Sequence, residues 1–206
     1  PARLVLADTD LLETLPVEEL RNGLAEAIKH GVIGDPGLFD LCIQVWQNDE
    51  GGAAGDDRWT NLVRRAVAVK ARILLDDPYE QGVREVLNYG HTVGHAVEKA
   101  SGYRLRHGEA VAVGMCAEAR LAEARSIAPP GLAERIEQAI QAVGLPSRIP
   151  GWVDRDAMRL GLRVDKKRRA GIARLALPVC IGEVQYGIEV EEEELWTLCL
   201  SCMDPI

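Results

Sequence analysis

The sequence predicts a mainly α fold, an antiparallel helical bundle with a small β element, and three observations point there. The first is composition: 47% of the 206 residues are hydrophobic but only 4% are aromatic, with a single Phe. Ala, Leu, Val and Glu dominate, a balance that favours helices. The second is periodicity, since long stretches repeat their apolar residues every three to four positions. The third is a pair of short alternating runs towards the C-terminal end, which read as strands. A chain of this length buries a sizeable core and fits one domain over residues 1–206.

The elements follow in order. Arg3 to Asp8 is an apolar burst that reads as a short strand, and a lone strand needs a sheet to join. With no initiator Met ahead of it, the chain looks like the second half of something longer. Thr9-Asp10 opens a turn or short helix. Pro16 sits where a first-turn proline is favoured, ahead of a helix over Val17–Ile33 whose apolar face is Leu20, Leu24, Ala27 and Ile28. Gly34-Asp35-Pro36 ends it, and Leu38–Trp46 is a second helix. Asn48 to Asp57 is a glycine- and acid-rich connector. Trp59–Leu75 is a long amphipathic helix broken by Asp76-Asp77-Pro78. A helix from Arg84 to about Ala100 follows, then a loop over Gly102 to Arg106 and a helix from His107 to about Arg125. In that last helix Gly108, Ala110, Ala112 and Gly114 predict a close helix–helix approach. Pro129-Pro130 separates it from a helix over Leu132–Val143, and Asp154–Leu162 is a short one. Ile172–Val179 and Glu183–Ile188 form a hairpin across Ile181-Gly182, and Glu191–Cys202 closes the chain as a helix.

Charge narrows the function. A net charge of −8 and a pI near 5.1 disfavour non-specific nucleic-acid binding. No apolar run is long enough to span a bilayer and no signal peptide is present. The five cysteines, an odd number without framework spacing, fit reduced thiols in a cytoplasm. Cys199-x-x-Cys202 has no second half, so the pair reads as a helix-borne bystander rather than a zinc site.

The chemistry concentrates in one stretch, Arg84-Glu-Val-Leu-Asn88-Tyr-Gly-His91-Thr-Val-Gly-His95, with His107-Gly-Glu109 twelve residues beyond it. Read as one helix, Arg84, Asn88, His91 and His95 fall within roughly 60° of one another at about 100° per residue. Val86, Val93, Ala96 and Val97 flank them, the composition of a buried helix. An Arg, an Asn and two His buried on one stripe are costly without partners, so the row is built to hold a ligand. Glu26 and Lys29 lie three apart on a helix whose charged surface already carries Glu18, Glu19 and Arg21. A surface ion pair of about 0.3 kcal/mol is the ordinary reading of such a pair. Set among Leu24, Ala25, Ala27 and Ile28, the two read instead as ligand-facing groups. His91 and His95 share the spacing of two zinc ligands, although Thr92 stands where a metalloprotease needs its Glu. With His107 and Glu26, two or three imidazoles and one carboxylate suit a catalytic divalent metal. Asp165-Lys166-Lys167-Arg168-Arg169 sets four cations in a row; with Arg84, Lys70 and Lys29 it fits a substrate carrying phosphate or carboxylate.

Five segments then carry a resemblance. Gly23-Leu-Ala-Glu26-Ala-Ile-Lys29-His30-Gly31, Asp77-Pro-Tyr-Glu80-Gln-Gly82-Val-Arg84, Leu87 to Glu98, His107 to Met115, and Asp165-Lys166-Lys167 resemble the 3-dehydroquinate synthase family, in its order and at compatible spacings. They span about Leu4 to Ile188. What the chain resembles is that family's C-terminal helical, metal- and substrate-binding domain; the glycine-rich NAD loop of an N-terminal domain is absent from it.

The resemblance implies conversion of 3-deoxy-arabino-heptulosonate 7-phosphate to 3-dehydroquinate and phosphate, in the shikimate route to aromatic amino acids. Family enzymes oxidise the substrate transiently with NAD, eliminate phosphate, reduce the ketone again and close the ring by an aldol step. A divalent metal, zinc or cobalt, polarises the hydroxyl being oxidised. Carried over motif by motif, Glu26, His91 and His107 are the metal ligands. Lys29, Lys70 and Glu80 contact substrate hydroxyls, and Arg84 meets the carboxylate together with Lys70. Asn88 and His95 hold the phosphate, with Lys166 or Lys167 as the cation. The resemblance thus moves His95 from the metal to the phosphate. Sister sugar phosphate cyclases, giving 2-deoxy-scyllo-inosose or valiolone-type products, are the alternative; their substrates lack the carboxylate that Arg84 and Lys70 would meet. Metal-dependent alcohol dehydrogenases, more distant, need no such cation set. A further alternative is a non-catalytic metal-binding helical domain. The expected partners are the small sugar phosphate and the missing nucleotide-binding half, with no nucleic acid and no membrane; homodimerisation is compatible with the sequence and not specified by it.

Overall fold

The computed structural model describes residues 4–49, 57–164 and 172–205. Eight α-helices and one hairpin make up its regular structure, with 3-10 turns at Thr9–Thr14 and Val83–Asn88. The helices are α1 (Val17–Gly34), α2 (Pro36–Asp49), α3 (Asp57–Asp76), α4 (His91–Ala100), α5 (His107–Ala124), α6 (Leu132–Ala142), α7 (Arg155–Val164) and α8 (Glu192–Ser201). Strands β1 (Ile172–Cys180) and β2 (Glu183–Glu191) pair antiparallel, with irregular register on either side of Leu177-Pro178.

Helix α5 is the centre of the bundle, because its small residues let neighbours approach on every side. Its Ala110, Val111, Ala112, Val113, Met115, Cys116, Ala117 and Ala119 are all buried. A Cβ on Gly114 would stand 1.9 Å from the Gly90 carbonyl oxygen, and one on Gly108 would stand 2.5 Å from that of Asn22. The predicted close approach is therefore present, against α4 on one side and α1 on another. The main core joins α1, α2, α4, α5, α6 and β1. A smaller cluster of Ile33, Val69, Ile73 and Val86 fastens α3 and the second 3-10 turn to the end of α1. The hairpin is pinned at its tip, where Gly182 N–H donates to Val32 O at 2.9 Å, and it packs behind the second 3-10 turn.

Three expectations need correction. The stripe helix is not continuous. Arg84 and Asn88 ride on the 3-10 turn Val83–Asn88, and α4 starts only at His91. Between them Gly90 adopts φ 78°, the left-handed region that glycine enters without strain. The flanking Val86, Val93, Ala96 and Val97 are buried as expected, but Arg84, Asn88 and His91 are half-buried and His95 is exposed. The opening strand does not form within the described residues: Leu4–Asp8 carry no regular structure, and Leu4, Val5 and Leu6 are 81%, 81% and 87% exposed. A strand without a sheet has nothing to pair with. Finally, the second helix starts at Pro36 and runs to Asp49, longer at both ends, because Pro36 opens it as a first-turn proline. Of the glycine-rich connector, residues 50–56 lie outside the described residues, as does the whole run Asp165 to Arg169.

Candidate metal and substrate site

Three elements deliver the candidate ligands to one point. Glu26 comes from the middle of α1, His91 from the first residue of α4 and His107 from the first residue of α5. One carboxylate oxygen, Oε1 of Glu26, faces Nε2 of His91 and Nε2 of His107, at 3.5 Å from each. The three donor atoms lie within 4.8 Å of one another. That oxygen is buried and has no hydrogen-bond partner, which is costly for a carboxylate unless a cation completes the group.

Protonation agrees with this. His91 Nδ1 lies 3.1 Å from the Tyr89 carbonyl. A carbonyl only accepts, so Nδ1 carries the proton and Nε2 keeps its lone pair towards Glu26. Burial, then the charge of Lys29, pushes the His91 pKa down to about 4, so the ring is neutral at pH 7. Tyr89, which sets this contact, is fully buried and donates its hydroxyl to Met115 O at 2.9 Å. His107 presents its other nitrogen, Nδ1, to Glu98 Oε2 at 3.5 Å. Two imidazole nitrogens and one carboxylate oxygen suit a divalent ion of the zinc or cobalt kind, and the donor set fits it.

Beside the triad lies a polar cavity of about 540 Å³ lined by Glu26, Lys29, His30, Lys70, Glu80, Arg84, Asn88, His91 and His107 among others. Lys29 is 3% exposed and its Nζ sits 2.6 Å from Glu26 Oε2. Burial drives the Lys29 pKa down, against the opposing pull of Glu26. Burial would raise the Glu26 carboxyl, but Lys29, with His91 and His30, outweighs it and holds the group below the usual range. The Arg84 guanidinium meets only the Pro78 carbonyl, at 3.4 Å, among its hydrogen-bond partners in the described residues. It is thus free to meet an anion in the cavity. Glu80 reaches the cavity from a left-handed residue, φ 57°, a conformation that costs a non-glycine residue of order 1 kcal/mol.

The structure brings together in the cavity wall Glu26, Lys29, Lys70, Glu80, Arg84, Asn88, His91 and His107. His95 stands at the rim rather than in the wall, its ring centroid 5.1 Å from that of His91 and 5.8 Å from that of His107. Lys166 and Lys167 lie outside the described residues. Cys199 and Cys202 are buried thiols that join no metal-ligating group among the described residues.

Three supporting carboxylates and one histidine escaped the sequence reading as site residues. Asp77, 7% exposed, accepts from the backbone N–H groups of Gln81 and Gly82 at 2.8 Å and of Arg84 at 3.1 Å. These bonds, Gln81 first, hold its carboxyl below the usual range and fix the turn that offers Glu80 and Arg84. Glu118 is fully buried and accepts from Gly90 N–H at 2.6 Å and Val93 N–H at 3.3 Å. A carboxylate at a helix N-terminus is favoured by the dipole, and this one fixes the bend from which His91 projects. Glu98 backs His107. His30 lines the cavity with a buried, unpartnered Nδ1. The Asp77-Pro78 pair is a turn signal that could have found the first; nothing in the sequence pairs Glu118 with backbone amides 28 and 25 positions away.

Comparison with known proteins places the chain in a family. The family model described as 3-dehydroquinate synthase C-terminal matches residues 23–168. A 3-dehydroquinate synthase of a Synechococcus strain is 40% identical over 204 residues, 98% of this chain and 55% of the relative. One of Xanthomonas campestris pv. campestris is 43% identical, covering 93% and 53%. The chain therefore spans about half the length of these relatives. Among solved structures, a 2-epi-5-epi-valiolone synthase of Streptomyces hygroscopicus subsp. jinggangensis, with NAD+ and Zn2+ bound, superposes with a TM-score of 0.82 at 29% identity, over 95% of this chain and 54% of that one. A 2-deoxy-scyllo-inosose synthase complexed with carbaglucose-6-phosphate, NAD+ and Co2+ shares the fold, with a TM-score of 0.82 at 23% identity, over 98% of this chain and 56% of that one. No helix of the described residues is long and apolar enough to cross a membrane.

Proposed function

The chain belongs to the 3-dehydroquinate synthase family, and on that premise we propose that it is the metal- and substrate-binding domain of an enzyme that turns 3-deoxy-arabino-heptulosonate 7-phosphate into 3-dehydroquinate and phosphate. One observation carries the reading: a buried, unpartnered carboxylate oxygen of Glu26 facing two imidazole nitrogens, at the edge of a cavity that also holds Lys29, Lys70 and Arg84.

Glu26, His91 and His107 would hold zinc or cobalt, which supplies Lewis-acid polarisation of a substrate hydroxyl when bound. A separate nucleotide-binding domain, not in this chain, would bring NAD. The chain's own side chains bind and orient. Lys29 and Glu80 hydrogen-bond substrate hydroxyls, and Arg84 with Lys70 takes the carboxylate as a charge-assisted pair. Asn88 in the wall and His95 at the rim take the phosphate, with Lys166 or Lys167 adding a cation. The bend at Gly90 serves this division, because it sets Arg84 and Asn88 on one segment and the imidazoles on another. Five free cysteines support a reducing, cytoplasmic setting.

Phosphate release tests the proposal. A two-domain protein carrying this chain should release phosphate from the heptulosonate phosphate with NAD and metal, and the isolated chain should not. Sister cyclases share the fold, and substrate choice separates them: faster turnover of glucose 6-phosphate or sedoheptulose 7-phosphate by the same protein would install the sister-cyclase reading. No turnover of any of the three would leave a non-catalytic metal-binding domain.

A further inference from the structure

His107 has two ring nitrogens, and each faces a different carboxylate. Nε2 looks at Glu26 Oε1 and Nδ1 at Glu98 Oε2, both at 3.5 Å. On the Glu98 side a second triad closes: donor atoms of His95, Glu98 and His107 also lie within 4.8 Å of one another. His95 and Glu98 are three apart on α4, which places them on one face of that helix. The three come from two rigid elements, α4 and the first residue of α5, locked together by the Gly94 and Gly114 contacts. Neighbouring cations are directed elsewhere, since Arg106 pairs with Glu19 at 3.2 Å and Arg104 stacks on Trp152 at 3.9 Å. The Glu98 carboxylate is half-buried, and His95 and His107 leave the outer side open to solvent.

We propose that His95, Glu98 and His107 form a second seat for a divalent ion of the zinc or cobalt class, sharing His107 with the seat at Glu26 and His91. The donor chemistry is again two imidazoles and one carboxylate, which favours such ions over magnesium or calcium. The shared ring couples the seats. A neutral imidazole has one lone-pair nitrogen, so metal on Nε2 leaves Nδ1 protonated and unable to bind a second ion, and the reverse. With the Glu26 seat filled, the Glu98 seat is therefore reduced to His95 and Glu98 and holds an ion only weakly; it strengthens when that seat is disabled and His107 is released to it, by the reciprocity of linked binding. Filling it also takes His95 away from any anion at the rim, so excess metal withdraws a group from the substrate side of the site.

Zinc binding to the 206-residue chain, followed by equilibrium dialysis and metal analysis, tests this. All variants carry Cys180→Ser, which removes the exposed thiol. The parent should bind one tight equivalent and a weaker second. His91→Ala should lose the tight equivalent yet keep one zinc at the Glu98 seat, held about fivefold or more tightly than the parent's second. Adding Glu98→Gln, or His95→Ala at its exposed position, should remove that remaining zinc while thermal melts show the fold intact. An His91→Ala chain that binds no zinc, or one whose residual zinc survives both further substitutions, would overturn the second seat. Loss of the tight equivalent in His91→Ala reports separately on the Glu26 seat, so the two readings fail independently.

Discussion

At the scale of single residues, Oε1 of Glu26 sets the logic of the site. A buried carboxylate oxygen without a donor is tolerable only if something positive arrives, and the His91 ring opposite it, neutral at pH 7, supplies no charge. His91→Ala should therefore abolish the tight metal equivalent, measured by calorimetry; an unchanged tight Kd would remove His91 from the ligand set. Arg84 carries the complementary prediction. Removing one partner of a buried charge pair costs about 3–5 kcal/mol, so Arg84→Ala in the two-domain protein should cut turnover of the heptulosonate phosphate by at least about a hundredfold. Arg84→Lys should restore little, because an ammonium cannot reproduce the planar fork. His30 gives a pH signature. Burial first, and Lys29 next, press its pKa from 6.5 to about 4. Between those values the unfolded chain holds a proton that the folded one refuses, so stability is full above about pH 6.5 and is lost as pH falls towards 4. At about 1.4 kcal/mol per unit the loss is roughly 3 kcal/mol for this group, and His91 adds in the same direction. Urea midpoints of the metal-free chain should decline over that window, and His30→Gln should flatten the slope; a slope identical to wild type would mean His30 is not the source.

At the scale of elements, the contact between α4 and α5 decides where the imidazoles stand. Gly114→Ala would drive a methyl group into the Gly90 carbonyl at 1.9 Å, and backbone cannot yield as a side chain can. Overpacking of this kind costs about 3 kcal/mol, a Tm lower by roughly 6–12 °C, and the displaced bend should weaken metal binding as well. Gly23→Ala is the contrast. It sits within α1 with nothing near its missing Cβ, so the substitution should stabilise by about 0.5–1 kcal/mol. Calorimetric melts of the two variants should move in opposite directions. Helix identities were legible because apolar spacing is a local property. The break at Tyr89-Gly90 was not, because Arg84, Asn88, His91 and His95 keep a helical period straight through it. What creates the break is tertiary: a buried Glu118 taking the Gly90 and Val93 amides, and α5 pressing on Gly90.

At the scale of the whole molecule, the chain carries a net charge of −8 and yet gathers Lys29, Lys70 and Arg84 around one cavity. Fields inside a concave, partly buried site depend on what lines it more than on the total, so an acidic protein can still hold an anionic sugar phosphate. The residue types of that lining were readable in the sequence, since a polar side chain set among apolar neighbours is costly to bury unless a ligand or partner meets it. Their supports were not, because Asp77 and Glu118 act through backbone amides, which leave no trace in side-chain patterns.

The proposed metal ligands are also unevenly placed along the chain. His91 and His107 sit at the starts of two consecutive helices that pack on each other, whereas Glu26 lies in α1, far earlier. During folding, the α4–α5 hairpin needs only a short loop to close, but joining it to α1 closes a long one, which is the slower and more costly event. A three-point grip by Glu26, His91 and His107 would exist only once that late contact has formed. Metal should then leave the refolding rate nearly unchanged and slow unfolding, the behaviour of an interaction absent from the transition state. In stopped-flow denaturant jumps with and without zinc, the gain should appear on the unfolding limb, making the ion a clasp against opening rather than a seed for assembly.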